Sequence, residues 1–212
     1  AARKQADVIG AKVIGTATAP ITTASDAQDS SFGSSVRNRE SAMSNMVAQM
    51  FKDTLGKDDP NFIGIQNPGG TRASLQSGEI TYKDAALVLP FANSLMTTKI
   101  TGEQFKQVLE EQWQHDEKGQ VPSRPFLSLG LSSNVSYTYD ENLPEGQRIT
   151  SVWVNGKPID PKASYTVGSG SFLINGGDNF HTLAKGSRPV DTGKVDLDAW
   201  VSWIKDQGKL TP

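Results

Sequence analysis

Several side chains that suit ligand binding lie in or beside loops that the sequence predicts. Arginine supplies a fork of donors that matches a phosphate or carboxylate group. A phenylalanine ring can stack on a flat base, and Asn or Asp can bind hydroxyl groups and ring nitrogens. The candidate residues of these kinds are Arg37, Asn67, Arg72, Phe91, Asn93, Phe172 and Asp178.

Each of these residues also has an ordinary structural interpretation. Phe91 follows Leu89 and Pro90, a context in which a phenylalanine usually belongs to the hydrophobic core. Asp178 follows two glycines, a pattern that is typical of a turn. Composition alone therefore leaves both interpretations open.

The sequence lacks a recognisable set of catalytic groups. A dinuclear metal hydrolase needs several His and carboxylate ligands, whereas the two histidines, His115 and His181, are isolated from each other. His115 stands beside acidic residues at a predicted helix end, where the helix dipole favours it, and His181 is expected to be a structural or solvent-facing loop residue. Residues 168–171 lack the G-x-S-x-G order of a serine hydrolase, and residues 69–70 lack the Gly-Lys-Ser/Thr of a P-loop. We therefore predict neither a catalytic residue nor a metal ligand in this chain.

The overall composition is that of a folded globular chain. It has 212 residues, of which 36% are hydrophobic and 21% are charged. Its 21 basic and 23 acidic side chains nearly balance without a Lys/Arg cluster, which argues against a nucleic-acid partner. No apolar stretch approaches the roughly 20 residues of a membrane span. Cysteine is absent, which excludes disulfides, and the start at Ala1 without a signal-peptide pattern predicts a processed protein or a piece of one.

Three helices are predicted from the spacing of apolar residues and from capping signals. The first follows the cap candidate Ser41 and carries a stripe of methionines, which is expected to pack in the core, with a binding face as the alternative. The second runs from Thr101 to about Gln114 and opens with a capping box formed by Thr101 and Gln104. The third shows helical spacing of apolar residues near the end of the sequence and stops at Gly208.

Short apolar or alternating runs between these helices predict β-strands. The runs cover residues 13–16, 62–65, 128–139, 149–154 and 165–167. The dipeptide at 155–156, Asn-Gly, is the strongest hairpin signal in the chain. Because helices alternate irregularly with hairpins, the pattern favours a mixed α/β (α+β) domain over a regular doubly wound sheet.

A series of motifs stands in a fixed order along most of the chain. Gly-Gly-Thr-Arg at 69–72 is followed by Ile-Thr-Tyr at 80–82 and by Val-Leu-Pro-Phe-Ala-Asn at 88–93. Arg-Asn-Arg-Glu-Ser opens the first helix at 37–41, and Phe-Leu-Ile-Asn-Gly-Gly-Asp-Asn-Phe stands at 172–180. In this order the motifs resemble the C-terminal domain of the 5′-nucleotidases, the family that includes the periplasmic UDP-sugar hydrolases.

The resemblance implies how the aromatic and amide residues would bind a nucleoside. Phe91 and Phe172 would hold the base between their rings, and Asn67 and Asn93 would bind the base edge or the ribose. Stacking on an aromatic ring tolerates every base and contributes about 1–3 kcal/mol per base. We therefore expect a broad base specificity.

The charged residues have roles in the same resemblance. Asp178 would accept hydrogen bonds from the ribose hydroxyls, and Arg37 and Arg72 would hold phosphate or ribose oxygens. Arg39 matches the family pattern as well, although a pairing with acidic neighbours is its alternative interpretation.

The resemblance also implies a larger parent protein. In the family, this domain follows an N-terminal metallophosphoesterase domain that carries two divalent metal ions and removes phosphate from nucleotides. Residues 1–12 would be the remnant of the inter-domain hinge helix, and residues 13–212 would be the substrate-binding domain, with mixed sheets flanked by helices in layers. The chain alone would be inactive and would contain no cofactor. Its partners would be a nucleotide and the N-terminal domain, and the parent would be exported.

The sequence departs from the family pattern at several loop positions. Pro68 and Thr71 interrupt the usual Asn-Gly-Gly-Gly-Ile-Arg run, Ala92 replaces a common glycine, and Asn179 replaces the glycine after the aspartate. These departures motivate an alternative hypothesis, in which the chain is a non-catalytic interaction or structural module that kept the fold but lost the nucleotide pocket. A stand-alone enzyme is the third interpretation.

Overall fold

The computed structural model describes residues 7–25 and 36–212. In these ranges, helices and strands alternate irregularly along the chain, and two short 3₁₀ turns cover Pro68–Gly70 and Gly177–Asn179. The helices are α1 (Ala42–Leu55), α2 (Tyr82–Val88), α3 (Gly102–Glu110), α4 (Ser171–Ile174), α5 (His181–Ala184) and α6 (Asp196–Gln207).

The strands are β1 (Val13–Ala17), β2 (Ile63–Gln66), β3 (Gly78–Thr81), β4 (Ser94–Thr101), β5 (Gly130–Leu131), β6 (Val135–Tyr139), β7 (Ile149–Val154), β8 (Lys157–Pro158), β9 (Ser164–Gly170), β10 (Ser187–Val195) and β11 (Lys209–Leu210).

These strands form three sheets, of which the largest is mixed. It has five strands in the order β10-β4-β9-β2-β5, with β2 parallel to β9 and the other pairs antiparallel. Two three-stranded sheets have the orders β11-β1-β3 and β6-β7-β8. This architecture confirms the predicted mixed α/β fold.

The predicted hinge remnant, residues 1–12, lies partly outside the described residues. Residues 7–10 are helical, and residues 1–6 are not among those described. The assignment of residues 1–12 to a hinge remnant therefore stays a prediction.

Helix α1 forms where its capping and apolar signals predict it. The Ser41 hydroxyl accepts a hydrogen bond from the backbone N–H of Ser44 at 3.1 Å, which satisfies one of the unpaired donors of the first turn. Met43 and Met50 are fully buried, and the helix ends at Gly56. These two methionines are therefore core, as predicted, whereas Met46 is half-buried against the same cluster and lines a cavity.

Two buried hydrophobic clusters hold the elements together. The first includes Phe51 of α1 and Trp200 of α6. The second joins Phe105 of α3 and Val152 of β7 to Ile65 of β2. Strand β4 of the five-stranded sheet contributes to both clusters, with Leu95 in the first and Ile100 in the second.

Two further local predictions are confirmed. Thr101 and Gln104 form the capping box of α3, with Thr101 N donating to Gln104 Oε1 at 2.8 Å and Gln104 N donating to Thr101 Oγ1 at 3.1 Å. Asn155 and Gly156 connect β7 to β8 with φ angles of 52° and 72°, the left-handed backbone that a tight hairpin turn requires.

The prediction that the second helix reaches Gln114 is wrong, because α3 ends at Glu110. Gln112 is buried beyond the helix, and its Oε1 accepts a hydrogen bond from the backbone N–H of Leu129 at 2.9 Å. The backbone N–H of Gln114 donates to the carbonyl of Pro125 at 2.9 Å. The backbone carbonyl of Gln112 likewise accepts from the Leu127 N–H at 2.9 Å, so the helical ladder stops where these two backbone groups bond to a distant segment.

Helix α2 and strands β3, β4 and β10 are among the elements that were not predicted. The signal for α2 is present in the sequence, since Thr81 and Asp84 form a capping box at its start. In β10 the pattern is obscured by Pro189, and positive φ angles at Arg188 (51°) and Gly193 (68°) interrupt the pairing with β4. A strand with such irregularities lacks a clean alternation of apolar and polar residues.

Candidate functional site

The candidate binding residues meet in one cleft of about 410 Å³ at an edge of the five-stranded sheet. Because β2 and β9 are parallel, both end at this edge, and the antiparallel neighbour β4 begins there. Asn67 follows β2, Phe172 follows β9, and Asn93 precedes β4. The cleft is lined by all the residues that were predicted for it, namely Arg37, Asn67, Arg72, Phe91, Asn93, Phe172 and Asp178.

Two exposed phenylalanine rings belong to this cleft. Phe91 and Phe172 expose 56% and 49% of their surface, whereas Phe51 beneath them is 1% exposed. The interpretation of Phe91 as a core residue is therefore wrong. A ligand that covers these two large apolar rings would remove their surface from water, which favours binding.

The loop that follows α4 lies directly against Phe172. A side chain at Gly177 would come within 2.6 Å of atoms of the Phe172 ring, so glycine permits this close approach. The next residue, Asp178, has a left-handed backbone with φ 54°. Its carboxylate Oδ2 accepts a hydrogen bond from Asn67 Nδ2 at 2.8 Å. Asp178 is thus both a turn residue and an oriented acceptor in the cleft.

The two arginines give one side of the cleft a positive charge. The guanidinium of Arg72 lies 5.9 Å from the centre of the Phe91 ring. Arg37 lies so close to the backbone of Gly69 that a side chain there would come within 2.8 Å of its Nη1. Burial, and after it the charges of Arg124 and Arg72, lower the pKa of Arg37, while Asp178 opposes this change. Such a group of cations suits an anionic ligand.

Asp196 is a residue of the site that the sequence analysis missed. It begins α6, is 3% exposed and lines the cleft. Its Oδ2 accepts hydrogen bonds from the backbone N–H of Asn93 at 3.1 Å and from Asn93 Nδ2 at 3.2 Å, and its own N–H donates to the Asn93 carbonyl at 2.9 Å. Burial raises the pKa of Asp196, while the hydrogen bonds from Asn93 and Leu197 oppose this rise.

The Asp196 contacts hold the turn that carries Phe91. Ala92, between Phe91 and Asn93, has φ 54°, a left-handed conformation that costs a non-glycine residue about 1–2 kcal/mol. Hydrogen bonds on both sides of the Asn93 backbone offset this cost. The departure from the family's glycine at position 92 is thus accommodated without loss of the turn.

A larger cavity of about 650 Å³ lies along α1 and the segment 128–139, apart from the predicted site. Its lining contains one charged side chain, Glu40, together with several serines and tyrosines. None of the candidate binding residues reaches it. The smaller cleft, where opposite charges and exposed rings converge, is therefore the candidate functional site.

The two histidines lie outside the cleft and line a third cavity. The prediction that His115 ends a helix is wrong, because α3 stops at Glu110; instead, His115 Nε2 lies 3.3 Å from a carboxylate oxygen of Glu145. His181 begins the short helix α5 and is not a loop residue. Its Nε2 is buried and has no hydrogen-bond partner within residues 7–25 and 36–212.

Glu111 anchors the segment that follows the Asp178 loop. Its Oε1 accepts hydrogen bonds from the backbone N–H of Thr182 at 3.0 Å and from the Thr182 hydroxyl at 2.6 Å. Burial raises the pKa of Glu111, while the two Thr182 bonds and the charges of His181 and Lys185 oppose this rise. In the folded chain Glu111 therefore keeps its proton to a higher pH than in the unfolded chain.

This difference predicts a pH dependence of stability. Between the usual glutamate pKa of about 4.3 and the raised value, the folded state binds more protons, so the free energy of unfolding falls as the pH rises. Glu111→Gln keeps an oxygen acceptor for Thr182 and removes this titration. We expect the stability of the wild type relative to Glu111→Gln to fall as the pH rises through this window and then to stay constant.

Urea denaturation at a series of pH values measures the effect. The control is Glu117→Gln, because Glu117 is exposed in the loop after α3; it should retain the wild-type slope in that window. Wild-type and Glu111→Gln stabilities that stay parallel across the whole pH range would contradict the predicted difference in proton binding.

Across residues 7–25 and 36–212, no group of three or more His, Cys, Asp or Glu side chains is arranged to hold a metal ion. In the same part of the chain, no helix has the length and apolar character needed to cross a bilayer.

Comparisons with known proteins agree on one family. The family described as "5′-nucleotidase, C-terminal domain" matches residues 13–185. The chain is 33% identical over 155 residues to the NAD 5′-nucleotidase of Haemophilus influenzae. This match covers 68% of this chain and 25% of that protein. It is 32% identical over 158 residues to a 5′-nucleotidase-related protein of Glossina morsitans morsitans, covering 71% of this chain and 28% of the relative.

A solved structure shows the same fold. The crystal structure of the 5′-nucleotidase precursor from Thermus thermophilus superposes with a TM-score of 0.79 and 28% identity, covering 98% of this chain and 39% of that one. The chain spans less than a third of the length of the Haemophilus influenzae and Glossina morsitans morsitans relatives.

Proposed function

The chain belongs to the family of 5′-nucleotidase C-terminal domains, and we propose that it binds the nucleoside part of a nucleotide for a parent phosphohydrolase. The observation that carries the proposal is the convergence of two exposed phenylalanine rings, two guanidinium groups and a carboxylate in one cleft. The base enters between Phe91 and Phe172, the ribose hydroxyls donate to Asp178, and Arg37 and Arg72 hold phosphate or ribose oxygens.

The chemistry of the cleft supports this division of the ligand. A nucleotide has a flat apolar face, hydroxyl donors and an anionic group, and the cleft offers a partner for each of them. Aromatic stacking contributes about 1–3 kcal/mol per base, and hydrogen bonds to a charged carboxylate contribute about 1.5–3 kcal/mol. Asn67 holds the Asp178 carboxylate through its Nδ2 atom, so Asn67 acts on the ribose through Asp178.

We extend the proposal to the parent protein. The binding energy of the base and ribose positions the distant phosphate, which is how contacts far from the reacting atoms assist a reaction. The reaction itself takes place in an N-terminal metallophosphoesterase domain with two divalent metal ions, and the parent is exported. We propose that this chain supplies substrate binding to that reaction and is inactive alone.

The geometry favours nucleotide binding over the alternative of an interaction module that lost its pocket. That alternative requires a blocked or dispersed set of binding residues. Pro68 lies in the 3₁₀ turn beside the cleft and is buried, and Ala92 adopts the turn that exposes Phe91. Neither departure fills the space between the binding side chains, which is about 410 Å³.

A titration of the 212-residue chain with adenosine tests the proposed function. We expect the backbone amide signals of Phe91, Phe172 and Asp178 to shift in NMR spectra, because the ligand would touch all three segments. The signals of the β6–β7 turn around Asn142, which lies outside the cleft lining, serve as the internal control. The absence of any shift at millimolar adenosine would contradict nucleoside binding.

A further inference from the structure

Asn93 lines the cleft together with the two phenylalanine rings. It stands two positions after Phe91 in the sequence. It also lies beside Gly170, since a side chain at Gly170 would come within 3.2 Å of Asn93 Cβ, and Phe172 follows two positions later. A base held between the rings would therefore direct one edge towards Asn93.

The orientation of this amide is fixed by Asp196. An ionised carboxylate only accepts hydrogen bonds, so the NH₂ end of the Asn93 side chain must face it. The contact between Asn93 Nδ2 and Asp196 Oδ2 is 3.2 Å, and the same oxygen accepts the Asn93 backbone N–H at 3.1 Å. Within the part of the chain that the structure describes, the Asn93 Oδ1 atom accepts no hydrogen bond. The oxygen is thus the end of the amide that is left for a ligand.

From this arrangement we infer that Asp196 is a specificity-positioning residue, which locks Asn93 so that its oxygen accepts a hydrogen bond from an exocyclic amino group on the base edge. The inference rests on the proposed nucleoside binding and adds a substrate preference to it. Bases with an amino group at this edge, such as adenine, are favoured over bases with a carbonyl there, such as hypoxanthine. A carbonyl would put two acceptors opposite each other, which disfavours the wrong ligand.

Asp196 can hold the amide firmly because burial and its own hydrogen bonds fix the position of its carboxylate. It is 3% exposed, its Oδ1 accepts from the Leu197 N–H at 2.7 Å, and its N–H donates to the Asn93 carbonyl. A flip of the Asn93 amide would place Oδ1 against the Asp196 carboxylate and would leave two acceptors in contact. Stacking remains tolerant of every base, so the amide adds a preference within a broad specificity.

The test compares adenosine with inosine, which differ at this exocyclic position. We expect the wild-type chain to bind adenosine about five- to tenfold more tightly than inosine, the effect of one neutral hydrogen bond. In Asn93→Ala the ratio of the two dissociation constants should fall to about one, while adenosine still binds through stacking. In Asp196→Asn, whose side chain can also donate, the Asn93 amide is released and the ratio should fall in the same direction.

The ratio separates specificity from a purely structural role, because a general weakening of the cleft would lower both affinities together. Asn142→Ala, in an exposed turn, is the matched control and should keep the wild-type ratio. If one cleft variant fails to fold, the ratio of the other decides, and a folded cleft variant that keeps the wild-type ratio would overturn the inference. A wild-type ratio of one, or a preference for inosine, would overturn the inference while nucleoside binding stands. Failure of both nucleosides to bind would instead refute the proposed function.

Discussion

Replacing Phe172 with alanine is expected to weaken adenosine binding by about 5- to 150-fold, which corresponds to the loss of about 1–3 kcal/mol of stacking. The ring is 49% exposed, so its removal takes little from the hydrophobic core. Gly177 packs against the ring, and the variant would therefore also loosen the backbone beside Asp178. Both effects act on the ligand and leave the rest of the fold in place. Isothermal titration calorimetry of the purified chain measures the change.

Tyr139→Ala is the matched control for this substitution. Tyr139 is an aromatic residue that is 50% exposed, as Phe172 is, but it lies outside the cleft. Its removal should leave the dissociation constant of adenosine within about twofold of the wild type. Equal affinities of Phe172→Ala and the wild type for adenosine would show that the base does not bind against this ring.

The cleft depends on the topology of the five-stranded sheet. Strands β2 and β9 are parallel, and β4 runs antiparallel to both β9 and β10, so several strand ends and junctions meet at the same edge. Asn67 leaves β2 there, Asn93 enters β4, and Asp196 leaves β10. A ligand at this edge touches segments that are far apart in sequence but rigidly connected through the sheet.

Local signals in the sequence were sufficient to predict helix starts and turns that depend only on neighbouring residues. The cap at Ser41, the capping box of Thr101 and Gln104, and the hairpin at Asn155 involve partners within a few positions. Such interactions are encoded in short windows, and the structure confirms each of them. The capping box of Thr81 and Asp84 has the same form, so α2 could have been predicted.

Long-range contacts decide what the sequence could not reveal. Asp196 and Asn93 are separated by 103 positions, and Asp196 alone is an ordinary first-turn acid of an amphipathic helix. Likewise, α3 ends early because Gln112 and Gln114 bond to the segment around Leu129 and Pro125. No local pattern contains these partners, which become neighbours only after the chain has folded.

The candidate binding residues fall between these two cases. Composition left Phe91 and Asp178 open to a structural interpretation, and only the order of the family motifs favoured a site. The structure adds the fact that Phe91 is exposed and that Asp178 is held by Asn67 in a left-handed turn. The motifs could name the residues, but the hydrogen-bond partners that orient Asn67 and Asn93 required the fold.

Two glycines bring helix α1 close to the sheet that carries the cleft. Gly64 lies between Ile63 and Ile65 of β2, and a side chain there would overlap the backbone carbonyl of Ala48 in α1. Gly130 of the neighbouring strand β5 has the same relation to Ser44, one helical turn earlier. Because a backbone carbonyl in a helix cannot move independently, a methyl group at either glycine would have to push the helix and sheet apart.

We therefore expect Gly64→Ala to lower the free energy of unfolding by about 3 kcal/mol, at the upper end of the usual cost of overpacking. Because Asn67 follows β2 directly, the displaced strand should also weaken adenosine binding by the chain that remains folded. Gly10→Ala is the control, since its added carbon would lie 3.5 Å from Lys83 Cβ, an ordinary contact, in a helical segment where alanine is favoured. Chemical denaturation of both variants measures the difference. Equal stability of Gly64→Ala and the wild type would contradict the close approach of α1 to β2, because only a gap between them could accept the methyl group without cost.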